Sequence, residues 1–224
     1  DVDYSLGNNF ADFASQFSKD SRYRTELYKL RRKFMSHADG LIHADLHTSN
    51  ILASRDKMKV IDMEFAFMGP FGYDLGYLVG NLISQYCAAC FKRFPSEQNR
   101  KQFKAYLLAT IKSLIETYMK TFTLCWERSV KERYRGQQGL LQSILQEVMV
   151  DMPGYASMVN WFRSVSDIPY PDFDVIENKD AKRNATVLSL MIDWGIMFGR
   201  YKYQSADDLI ETIIGVEEEF RKSL

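Results

Sequence analysis

The chain has no surplus of charge: Lys and Arg number 29 over 224 residues, and so do Asp and Glu. That balance excludes a nucleic-acid glove or a polybasic membrane face, so any anionic ligand must be held by local groups. Long apolar runs are missing too. None approaches the roughly 18 residues of a membrane span, and no charged-then-apolar leader opens the chain. A soluble, cytoplasmic protein with no nucleic-acid and no membrane partner is expected. Cysteine is scarce, with three residues at 87, 90 and 125, an odd number without a framework, which argues against a secreted disulfide scaffold. Cys87-Ala88-Ala89-Cys90 has redox or zinc spacing, but it lies in an apolar helical run with no second Cys or His pair nearby, and it reads as core. None of the twelve glycines forms a G-x-G-x-x-G pattern.

What is present is an apolar fraction of 46%, enough for one sizeable core and so for a single domain over residues 1–224. The chain begins with Asp rather than Met, and residues 1–20 look loop-like, so it reads as a fragment. Leu27, Leu30 and Phe34 repeat at helical spacing and predict an amphipathic helix from Ser21 to about His37, with the basic run Lys29, Arg31, Arg32 and Lys33 facing water. β structure is expected at 41–43, 51–53 and 58–61, the last two joined by the polar turn 54–57. Beyond Gly72 helices are expected near 74–91, 97–122, 138–152, 155–165, 181–202 and 206–222, broken by Pro95, Pro153 and the Pro169/Pro171 stretch. The fold class is α+β, mainly α: a helical body with a small β hairpin let into one face. Tyr106, Tyr118, Trp126, Trp161 and Trp194 are expected mostly in the core, with a minority lining a pocket or the face of a possible homodimer.

The informative block is Leu41-Ile-His-Ala-Asp-Leu-His-Thr-Ser-Asn50, followed after one hairpin by Val60-Ile-Asp-Met-Glu64. Its form is H-x-D-x-x-x-x-N, then strand, then D-x-E. Phosphoryl transfer to a hydroxyl needs an acceptor that orients the alcohol and takes its proton, and separate hard oxygen ligands that hold Mg²⁺ against the phosphates. A four-residue spacing between Asp45 and Asn50 allows both side chains to point into one cleft, and the hairpin returns Asp62 and Glu64 beside them.

This block resembles the catalytic loop of the protein-kinase-like superfamily. The longer strings 41–50 and 60–76, with Asp-x-Glu where protein kinases have Asp-Phe-Gly, are similar to the 5-methylthioribose kinase family, tightly over residues 41–82. The resemblance implies the larger, C-terminal lobe of the protein-kinase-like fold. It implies ATP and Mg²⁺ as cofactors, and transfer of phosphate to a sugar, S-methyl-5-thioribose giving its 1-phosphate in methionine salvage. It gives Asp45 the role of catalytic acceptor and makes Asp62 and Glu64 the metal ligands. Asn50 stands at the superfamily's metal position, where this family often has Ser. His43 would support the loop, while His47 would approach either substrate or the loop backbone. Asp74 would cap a helix and accept N–H groups from the catalytic loop.

Two departures stand out. Ala44 replaces a family Gly, a change that a loop with positive φ resists. The family's arginine pair, which helps hold substrate, aligns with a stretch reading Met158-Val-Asn-Trp-Phe-Arg163, so Trp161 and Arg163 become the substrate candidates and the pocket is expected to recognise something altered. The ATP-gripping N-terminal lobe, with its glycine-rich hairpin and strand lysine, has no counterpart here, so this lobe alone is expected to bind ATP very weakly without useful turnover. Two other readings stand beside the sugar kinase: a kinase of the aminoglycoside phosphotransferase or choline kinase sort, and a non-catalytic kinase-like binding module. Four polar groups kept in one cleft against their desolvation cost speak against the module.

Overall fold

A computed structural model describes residues 19–166 and 170–224. The loop-like reading of the first residues, and the effect of Pro169, lie outside them. Helix α1 (Ser21–Ser36) begins at Asp20, whose carboxylate accepts from the backbone N–H of Arg22 at 2.8 Å and of Tyr23 at 3.2 Å, satisfying two of the donors that a helix start leaves open. Its inward face carries Tyr23, Glu26 and Leu30, with Leu27 and Phe34 half-buried beside them.

Four short strands follow. β1 (Gly40–Ile42) pairs antiparallel with β4 (Phe67–Gly69), and between them β2 (Ile51–Ala53) pairs antiparallel with β3 (Met58–Val60). The expected hairpin is therefore enclosed by a second pair. β4 escaped the sequence reading because three residues running into Gly69-Pro70 leave no alternation to detect. The rest is helical: α2 (Gly72–Phe91), α3 (Glu97–Ser129), α4 (Gln138–Val165), the single turn α5 (Pro171–Asp174), α6 (Lys179–Gly199) and α7 (Ala206–Ser223). The expected mainly-α class with a small β element holds.

Three expectations need correcting. Helix α3 continues seven residues beyond 122, to Ser129. Pro153 does not break α4, which runs through it. The proline removes one ladder bond, but Arg200 Nη1 donates to the adjacent Val150 carbonyl at 3.0 Å and the proline itself is buried, so packing outweighs the local penalty. The bulky aromatics are not mostly core: Tyr106 is 63% exposed, and Tyr118, Trp126, Trp161 and Trp194 are half-buried. Helical spacing alone could not separate the centre of an interface from its edge.

The core lies where α2, α4 and α6 meet, with Val79, Ile83, Met152, Ala156, Leu188 and Ile192 fully enclosed. Cys87 and Cys90 belong to it; burial pushes the Cys87 thiol far up and the Cys90 thiol to about 12. Gly72, Gly76 and Gly80 form a stripe at four-residue spacing on α2 against which α4 lies at backbone distance. A Cβ at Gly76 would stand 2.6 Å from the Met152 carbonyl oxygen and 2.7 Å from Tyr155 Cβ. The other tie is ionic. Arg200 Nη2 donates to Glu26 at 2.7 Å, where Lys29 also donates at 2.7 Å and Tyr201 at 2.5 Å, joining α1 to the end of α6. Burial opposes the charge on Glu26, but these three donors outweigh it and hold its carboxyl at about 2.

Gly76→Ala is expected to cost at least about 1–3 kcal/mol through forced separation of α2 and α4, measured by urea unfolding. Because the carboxyl of Glu26 is depressed on folding, its contribution is present above the ordinary 4.5 and lost as pH falls toward 2. Acid titration of stability should accordingly be flatter in Glu26→Gln than in the wild type over that window.

Candidate active site

The loop from His43 to Asn50 leaves β1 and is bound on every side. Asp74, in the first turn of α2, accepts from the backbone N–H of His43 at 2.6 Å and of Ala44 at 3.0 Å. His43, buried, places Nε2 2.8 Å from the Ile61 carbonyl oxygen, while its Nδ1 receives the Asp45 N–H at 3.3 Å. The acceptor at Ile61 fixes the ring as the tautomer protonated on Nε2. Asn50, also buried, donates its side-chain amide to the Asp45 carbonyl at 3.0 Å, and its own backbone carbonyl accepts from Ile61 N–H at 3.0 Å. The amide nitrogen of Asn50 thus closes the loop.

This web holds a strained backbone. Ala44 has φ 68° and Asp62 φ 67°, both left-handed, a region that costs a residue with a Cβ about 1–2 kcal/mol. Each lies at or beside a proposed functional carboxylate, where stored strain is commonly found. Ala44 occupies a conformation that glycine adopts freely, and the two hydrogen bonds of Asp74 hold it there.

The Asp45 carboxylate is half-exposed and engaged at both oxygens. Tyr77 Oη donates to Oδ1 at 2.9 Å, and His47 Nε2 stands 3.4 Å from Oδ2. Asp62 and Glu64 sit on the returning segment after β3, and both are exposed. Among the described residues no three of His, Cys, Asp and Glu gather closely enough to hold a metal ion. The loop and the hairpin are brought together through Asn50 and Ile61, but Asp45, Asp62 and Glu64 do not form one acidic cluster. Exposed carboxylates are hard ligands of the type Mg²⁺ takes while keeping waters and phosphate oxygens, and Asp62 and Glu64 lack the closed cage of a structural metal site.

Tyr77 also walls a cavity of about 410 Å³ between α1, α2 and α4, within the range of small-molecule sites. Its lining is largely aromatic: Tyr73 and Tyr155 meet edge to face at 5.1 Å, and Phe162 and Tyr170 do so at 6.0 Å. Trp161 and Arg163 are both on its wall. The guanidinium of Arg163 is spent elsewhere, paired with buried Asp172 through Nε at 2.7 Å and stacked 4.4 Å from the Tyr170 ring. Arg31 also lines the cavity, exposed and without an ion pair among the described residues. Sequence reasoning left Arg31 to solvent and passed over Tyr77. The signal for Tyr77 was its position three residues after Asp74, hence on the same face of α2.

Residues 9–114 match the phosphotransferase enzyme family, APH. The chain is 31% identical over 214 residues to a methylthioribose kinase of Geobacillus thermodenitrificans, an alignment covering 94% of this chain and 52% of that protein. To the methylthioribose kinase of Geobacillus kaustophilus it is 32% identical over 205 residues, covering 90% and 49%. Over most of its own length this chain is similar to the methylthioribose kinases. To methylthioribose kinase 2 of Oryza sativa subsp. japonica it is 29% identical over 209 residues, 88% of this chain and 48% of that one. The chain spans about half the length of the curated relatives it matches. No helix among the described residues is long and apolar enough to cross a membrane.

Ala44→Gly is expected to raise stability by up to about 1 kcal/mol, since glycine adopts the left-handed conformation without the Cβ penalty and loses only part of that gain to its freer unfolded chain. Denaturant midpoints of the two proteins check it.

Proposed function

We propose that the protein carrying this chain transfers the γ-phosphoryl group of ATP to a hydroxyl of a small sugar, S-methyl-5-thioribose being the acceptor that its relatives' names suggest. The observation that supports this best is the placing of the Asp45 carboxylate: half-exposed, on a loop fixed by Asp74 and Asn50, and joined by Tyr77 to the wall of an open, largely aromatic cavity. An alcohol in that cavity meets a carboxylate able to orient it and accept its proton. Asp62 and Glu64, with the Asn50 side-chain oxygen, would hold Mg²⁺, which when bound neutralises charge on the phosphates. His43 keeps the loop in shape. His47 lies close enough to Asp45 Oδ2 that an incoming alcohol has to take its place.

The cavity favours a neutral acceptor over a polycationic one. Arg31 is the charge it presents, Arg163 being paired with Asp172, and its own walls carry no carboxylate, Asp45 standing beyond the Tyr77 hydroxyl, so a polycationic aminoglycoside would find little complementary charge along them. A thioether-bearing sugar suits such walls, since sulfur packs well on aromatic rings.

The face of the β hairpins supports a bilobal whole. Leu41, Leu52, Met58, Phe65 and Met68 are each more than half exposed, from 51% to 69%, beside the catalytic loop. Large apolar side chains exposed in this number call for a cover, and the half of the relatives' length that this chain does not span is a fitting one. On this reading residues 1–224 are one lobe of a two-lobed kinase, and ATP is gripped from the other side.

In the full-length protein Asp45→Asn is expected to lower methylthioribose-dependent ADP release by several orders of magnitude while the melting temperature stays within a few degrees. Turnover at the wild-type rate in that variant would remove Asp45 from its role.

A further inference from the structure

The first turns of α2 hold three consecutive loop residues from one helix face. Asp74 takes the backbone of residues 43 and 44, and Tyr77, three positions on, takes the side chain of residue 45. The backbone of Asp45 is fixed independently: its N–H goes to His43, and its carbonyl accepts from Asn50 Nδ2 and from His47 N–H at 2.9 Å. None of those bonds sets the torsions of the side chain. A half-exposed aspartate of that kind has several rotamers open to it, and a reacting carboxylate a fraction of an ångström out of line loses much of its effect.

We propose that Tyr77 is a positioning residue for the phosphoryl transfer, holding Asp45 by Oδ1 so that Oδ2 is presented to the acceptor alcohol. This rests on the kinase reading above and deepens it. In the reaction the alcohol oxygen bonds to the γ-phosphorus and its proton passes to Oδ2. The bridging oxygen between the β- and γ-phosphates leaves with ADP. Tyr77 exchanges no proton. Burial pushes its phenol well up, and the neighbouring Asp45 carboxylate pushes it further, so the hydroxyl remains a donor throughout. Because the ring of Tyr77 walls the cavity beside Tyr73, 5.9 Å away between centroids, the residue has two separable parts. The ring borders the acceptor, and the hydroxyl aims the carboxylate.

Tyr77→Phe removes the hydroxyl alone. In the full-length protein, with methylthioribose as the acceptor and ADP release as the readout, kcat is expected to fall about ten- to a hundredfold, the worth of a hydrogen bond to a charged group. KM should stay within about twofold, and the melting temperature should hardly move. A purely structural tyrosine would not produce that split. Tyr77→Leu, which also removes the ring, should show the same fall in kcat with a rise in KM added. An unchanged kcat in either variant, or a change confined to KM, overturns the positioning role while leaving the kinase reading intact. A wild-type protein that releases no ADP with methylthioribose overturns both.

Discussion

The carboxylate of Asp74 is the hinge between the two halves of this structure. It sits in the first turn of α2, the helix most deeply packed in the body, and it accepts the two backbone N–H groups that lead into the loop carrying Asp45. One of those belongs to Ala44, held in a conformation that alanine avoids. Two hydrogen bonds to a charged acceptor, each contributing on the order of 1.5–3 kcal/mol, exceed the strain of one left-handed residue. Everything that follows in the chain, from the aim of Asp45 to the return of the hairpin at Ile61, inherits its position from that contact.

The anchor has value only if α2 is itself immobile. The glycine stripe supplies that condition, because without side chains at 72, 76 and 80 the backbone of α4 approaches closely enough to enclose Val79, Ile83, Met152 and Ala156 together. The same close approach brings Tyr155 and Trp161 of α4 opposite Tyr73 and Tyr77 of α2, so that one packing decision produces both the core and the cavity. Helix α1 closes the third side, fastened by Glu26 to Arg200. Stability and site are in this sense a single arrangement: the helix that could not move without opening the core is the one that carries the two residues gripping the loop.

The segment carrying the proposed metal ligands is built differently. Asp62 and Glu64 have no partners among the described residues, stand in solvent, and lie beside an apolar hairpin face that is also exposed. Groups of that kind are held ready for something brought to them. On the proposed reading, that would be a cation with its phosphates, and a further body of protein over the hairpins.

The sequence by itself determined the fold class and which residues are candidates for the chemistry. H-x-D-x-x-x-x-N and D-x-E are local patterns, set by what a short loop and a tight return can reach. The helices were legible because an apolar period of 3.6 is written into adjacent residues. Tertiary structure alone decided the rest. Whether Pro153 ends a helix depended on Arg200, some fifty positions away in the chain. Whether Arg163 is free to meet a substrate depended on Asp172, across a bend. That Tyr77 touches Asp45, and that Arg31 borders the same cavity, follows from how three helices pack. A sequence specifies what each residue can do within a turn or two of itself; which distant partner it meets is settled by burial summed over the whole body, and no local pattern carries that sum.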